Sequence, residues 1–195
     1  MASKVFKIWL VGCAGPSIFD YDCWGEGTAF MVGCKLRDMF NIVCKHKNSE
    51  FSHADYFWEP GYVSDEDVVV YLLGKESSSI VKSKGGTSKH ANPSGATFQS
   101  SDGMISEVYL KKMDGAMDFS TLVANIIFHE IMHNKLDAAK NSGIADIHIS
   151  RGDGLAKPIV DRSTMLTDKN ISLMAPALSR KIPQYTAAMQ KPAFL

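Results

Sequence analysis

Residues 118–136 read DFSTLVANIIFHEIMHNKL, and this stretch decides the reading of the chain. Leu122, Val123, Ile126, Ile127, Ile131, Met132 and Leu136 recur at helical spacing. Asp118 or Ser120 can serve as the N-cap, and Asn141-Ser142-Gly143 supplies a C-terminal stop. Within the predicted helix stands His129-Glu130-Ile131-Met132-His133, an HExxH pattern. At positions i and i+4 the two imidazoles share one face, one turn apart. Both can therefore reach a single Zn²⁺ at about 2.0–2.1 Å. Glu130 is offset around the helix, where a carboxylate can take a proton from water rather than bind the metal. Three polar groups on a semi-buried helix are costly unless something satisfies them.

Upstream, the order of elements is that of an α/β chain. Val5 to Val11 reads as an apolar strand ended by Gly12, and residues 27–46 as an amphipathic helix. Residues 51–62 read as an aromatic loop capping the core, broken by Pro60-Gly61. Val68 to Leu73 is a continuous apolar run, as expected of an inner strand. Gly74 to Gly103 lacks periodicity and reads as a long loop, Met104 to Leu110 as a further strand, and Lys111 to Asp118 as a polar connection. No repeat or linker divides the chain, so residues 1–195 are expected to form one domain.

Composition excludes several classes of function. Lys+Arg and Asp+Glu each total 21, and neither half of the chain carries a marked excess of either sign. The basic stripe of a nucleic-acid-binding protein is missing. No stretch approaches the roughly 20 apolar residues of a membrane span. The apolar run at 8–15 is too short for a signal-peptide core and follows closely on Lys7, so synthesis in the cytoplasm without a conventional signal peptide is expected, with a non-classical delivery route left open. Cys13, Cys23, Cys34 and Cys44 form no CxxC pair, which argues against a cysteine zinc site and leaves their redox state open.

Downstream stands Ser172-Leu173-Met174-Ala175-Pro176, a small-x-Met-x-Pro turn followed by a helix-like segment from Ala177 to Gln190. A helix carrying HExxH, then such a methionine turn, then a C-terminal helix resembles the metzincin clan of zinc metallopeptidases. The resemblance implies a mixed twisted sheet and a zincin-like catalytic domain. It also implies that Met174 forms an apolar floor beneath the metal-binding histidines. In zincins an edge strand preceding the active-site helix binds the substrate backbone antiparallel to itself. Met104 to Leu110 holds that place in chain order, which makes a protein or peptide the expected substrate.

The sequence departs from the clan at the third ligand. Metzincins continue HExxHxxGxxH, or end it in Asp, whereas Leu136 and Ala139 stand at the glycine and ligand positions here. No glutamate follows Glu130, which excludes a downstream Glu ligand. Asp137 lies one more turn along, about 6 Å beyond His133, and would need the helix to distort. Asp146 and His148 return after Gly143 on opposite sides of an extended segment. His148 is the preferred third ligand because imidazole suits zinc, with Asp146 and Asp137 as rivals. His46, His53 and His90 lack ligand-like spacing, Arg151-Gly152-Asp153 is explained by chance, and the Asn170-Ile171-Ser172 sequon has no secretory signal to make it relevant. The expectation is a zinc-dependent metallopeptidase. Its rival is a non-proteolytic metal-binding or interaction protein that keeps a zincin fold.

Overall fold

The computed structural model describes residues 4–12, 25–58, 61–76, 79–86, 93–113, 116, 118–136, 166 and 168–190. Five strands form one mixed sheet: β1 (Val5–Gly12), β2 (His53–Phe57), β3 (Val68–Leu73), β4 (Gly95–Ser100) and β5 (Gly103–Tyr109). Their spatial order is β2-β1-β3-β5-β4. Every neighbouring pair is parallel except β4 with β5, which is antiparallel. Among the described residues the α-helices are α1 (Glu26–Cys44), α2 (Ile80–Ser83), α3 (Phe119–Leu136) and α4 (Asp168–Ala177). The chain is thus α/β.

The central strand explains the layering. All six residues of β3 are buried, so both faces of the sheet are covered. On one face Phe6, Ile8, Leu10, Val70 and Val108 pack in one cluster with α1, α3 and α4. Phe40 of α1 meets Phe128 of α3 there, with ring centroids 4.6 Å apart. On the other face Trp9, Val69, Tyr71 and Ile105 pack with Val81 and Met189, and Tyr185 lies against them.

Several elements differ from the sequence expectation. The aromatic stretch 51–62 contains a strand, β2, because its alternating residues extend the sheet beside β1 in parallel register, Val5 facing His53. The long loop 74–103 contains both α2 and β4. The buried Glu107 carboxylate organises α2. It accepts hydrogen bonds from the Val81 N–H at 3.0 Å, the Ser79 hydroxyl at 2.6 Å and the Tyr109 hydroxyl at 2.7 Å. β4 folds back on β5 through Ser101-Asp102, with Ser100 paired to Gly103. Gly103 has φ +121°, and a Cβ there would stand 2.7 Å from the Gln184 carbonyl carbon, so the turn needs glycine on two counts.

The strand at 104–110 is therefore not the edge. β5 lies between β3 and β4, and among the described residues β4 forms the edge. The expected methionine turn and C-terminal helix are corrected as well. Residues 172–176 lie inside α4, whose last turn holds Pro176. A proline's fixed φ suits helical backbone, and α4 ends one residue beyond Pro176. Residues 181–186 then run as a strap rather than a helix. The Met104 N–H donates to the Pro183 carbonyl at 2.8 Å, and the Tyr185 N–H donates to the Met104 carbonyl at 2.9 Å. Pro183 also disfavours helical backbone at Ile182. Only Ala187–Gln190 returns to helix, as a single 3-10 turn. Among the described residues, no helix is long and apolar enough to cross a membrane.

Candidate metal centre

α3 begins where the sequence places it. The Asp118 carboxylate accepts from the Thr121 N–H at 3.2 Å and the Thr121 hydroxyl at 2.7 Å, which caps the first turn. These donors hold the Asp118 carboxyl below the usual carboxylate range. Nearly every residue from Phe119 to Leu136 is buried, because α3 is covered by the sheet, α1 and α4. His129 is buried and His133 half-buried, so the helix reaches solvent on the His133 side.

The two imidazoles converge. Their Nε2 atoms stand 2.9 Å apart, and the rings meet nearly perpendicular at 82° with centroids 4.5 Å apart. Two nitrogens on one tetrahedral zinc at 2.0–2.1 Å lie about 3.3 Å apart, so a slight opening of the pair would accommodate the ion. The donor set also fits, since neutral imidazole is a common zinc ligand.

Glu130 turns toward the sheet, over β4. Thr97 Oγ1 lies 2.7 Å from Glu130 Oε2 and 3.1 Å from the Glu130 carbonyl oxygen. The other carboxylate oxygen packs against Gly95, where an added Cβ would come within 2.5 Å of it. Burial pushes the Glu130 carboxyl up to about 8. The Thr97 hydrogen bond works against that rise, and the Glu107 charge adds to it.

Met174 is fully buried on α4 and belongs to the same apolar cluster as Met132 and Leu136 of α3. His148, Asp146 and Asp137 lie outside the described residues, as do the helix stop at 141–143, Cys13 and Cys23. Among the described residues, no group of three or more His, Cys, Asp or Glu side chains is placed to hold a metal. Gly95 and Thr97, which shape the surroundings of Glu130, escaped the sequence reading. The signal for them was Asp102-Gly103 immediately before the strand at Met104, a hairpin mark hidden in a stretch read as loop. Comparison with protein-family models, with curated proteins and with solved structures finds no match in any of the three.

Proposed function

We propose that the chain is a zinc-dependent metallopeptidase of metzincin-like type. The observation that carries this reading is the convergence of His129 and His133 Nε2 at 2.9 Å on one helix, with a buried carboxylate between them in sequence. The antiparallel edge strand β4 running beneath that carboxylate supports it. His129 and His133 would hold the ion, with His148 as the proposed third ligand. Zinc bound there supplies the Lewis acidity that makes water a nucleophile at neutral pH.

The chain's own groups supply the rest. Glu130 is the general base: it takes the proton of the attacking water and passes it to the leaving amine as the peptide C–N bond breaks. Thr97 engages Oε2, which leaves Oε1 as the proton-carrying atom. β4 offers an edge on which an extended peptide can pair. Met174 supports the site from within the core rather than from a turn.

Metal analysis together with cleavage of a mixed fluorogenic peptide library tests the reading. The wild-type protein is expected to carry about one zinc per chain. His129→Ala should lose the metal, and Glu130→Gln should keep it while losing cleavage. Cleavage retained by Glu130→Gln would overturn the mechanism. Zinc bound tightly without cleavage would instead favour a non-proteolytic metal-binding protein.

A further inference from the structure

Glu130 sits at one end of a buried hydrogen-bonded chain that starts in the C-terminal strap. Two main-chain groups set its polarity. The Val69 N–H can only donate, and it meets Gln184 Oε1 at 3.3 Å. The Ile182 carbonyl can only accept, and it receives Gln184 Nε2 at 2.9 Å. The Gln184 amide is therefore oriented by its neighbours. Asn134 must follow: its Nδ2 donates to Gln184 Oε1 at 2.9 Å, and its Oδ1 accepts from Gln184 Nε2 at 3.1 Å. The second Nδ2 hydrogen goes to Ser106 Oγ at 3.0 Å. Ser106 and Thr97 face each other in the β4–β5 register, with their hydroxyls 3.1 Å apart. A hydroxyl has one hydrogen to give. Ser106 Oγ accepts from Asn134 and lies within reach of the Thr97 hydroxyl, whose one hydrogen has three acceptors around it: Ser106 Oγ at 3.1 Å, the Glu130 carbonyl at 3.1 Å and, nearest, Glu130 Oε2 at 2.7 Å.

We propose that Thr97 is the positioning residue of Glu130, its hydroxyl donating to Oε2, while the Ser106–Asn134–Gln184 chain beside it ties this part of the sheet to the strap. Gly95 completes the arrangement. Its missing side chain leaves the space that Oε1 occupies, so β4 holds one carboxylate oxygen by a hydrogen bond and makes room for the other. The same strand that would pair with a peptide thus also aims the base. The catalytic part of this inference rests on the reading of Glu130 as general base; the contact itself does not.

The test uses the full zinc-loaded chain and the fluorogenic peptide library, with Thr97→Val removing the hydroxyl and Thr97→Ser keeping it. Thr97→Val is expected to lower kcat about tenfold to a hundredfold, less than the roughly hundredfold to ten-thousandfold that the base itself contributes, with zinc content and KM unchanged. Thr97→Ser should restore most of the loss. Chemical denaturation of the metal-free protein supplies a readout independent of activity. Thr97→Val should shift the unfolding equilibrium about tenfold more in the native background than in a Glu130→Leu background. Equal shifts in the two backgrounds, or an active protein whose kcat ignores Thr97→Val, would overturn the proposal. If the wild-type chain neither binds zinc nor cleaves, the base reading falls. The denaturation cycle then still decides whether Thr97 holds Glu130.

Discussion

Lys135 and Arg180 exchange hydrogen bonds. The Lys135 ammonium donates to the Arg180 carbonyl at 3.0 Å, and the Arg180 guanidinium donates to the Lys135 carbonyl at 3.2 Å. Lys135 also donates to the Glu66 carbonyl at 2.8 Å. A fully buried lysine thus ties the C-terminal end of the histidine-bearing helix to the segment before β3 and to the end of α4. Lys135→Met keeps the apolar stem but leaves these carbonyls without their donor. It is expected to cost about 2–3 kcal/mol in urea denaturation. A loss below about 0.5 kcal/mol would show that the exchange contributes nothing net.

Cys44 is buried at the end of α1, and burial pushes its thiol from 9.0 up to about 11, against a smaller pull from Ser49. The fold favours the protonated thiol. That stabilisation is complete below the unfolded value near 9 and is lost as pH rises toward 11. Relative to Cys44→Ala, the native protein should lose about 2–3 kcal/mol across that window. Denaturation at pH 8 and pH 11 on both proteins checks this, and parallel curves would refute it. At pH 8 the half-buried Cys34 should react with iodoacetamide well before Cys44.

Gly103 carries a positive φ and stands against the backbone of the C-terminal strap, where a Cβ would meet Gln184, Tyr185 and Pro183 within 3 Å. Gly103→Ala adds conformational strain and backbone overlap together. A loss of about 2–4 kcal/mol is expected, with the strap loosened from β5. Thermal unfolding measures the loss, and faster amide exchange at Tyr185 would report the loosening. An unchanged Tm would sink the prediction.

Asn125 is fully buried one turn before His129, and neither end of its amide finds a hydrogen-bond partner among the described residues. Leucine has the same branching and no polar atoms. Asn125→Leu should therefore stabilise the chain, by about 1 kcal/mol. A destabilised variant would mean that the amide has work to do in the functional protein.

If the two histidines hold a metal, chelation must cost stability. Binding at a thousandfold excess over Kd contributes about 4 kcal/mol to the folded state. EDTA should accordingly lower the Tm of the wild-type chain by several degrees and leave that of His129→Ala unchanged. An identical response in both would remove the metal from this site.

The helix and its paired histidines were legible in the sequence because they are local. Spacing alone placed His129 and His133 on one face, the start of the helix was narrowed to a cap at Asp118 or Ser120, and apolar runs located β1 and β3. A strand such as β4 is decided differently. Gly95 to Ser100 has no apolar run of its own and becomes a strand by pairing with β5, so its neighbours in sequence looked like loop. Met104 to Leu110 read as a strand and Gly103–Tyr109 forms one, but whether it lay inside or at the edge depended on that same pairing. Ser172 to Pro176 read as a turn from its small-x-Met-x-Pro pattern, yet packing of Met174 and Ala175 into the core keeps the segment helical up to its last turn.

By itself, then, the sequence determined the α/β character, the capped helix and the juxtaposition of two imidazoles, all set by contacts within a few residues. Only the tertiary structure decided what stands around Glu130. Thr97 and Gly95 reach it because a hairpin edge crosses beneath α3, and Gln184 anchors the chain behind Thr97 because the C-terminal strap returns to the sheet. Such contacts join residues far apart in sequence, and they form where burial leaves a polar group needing a partner.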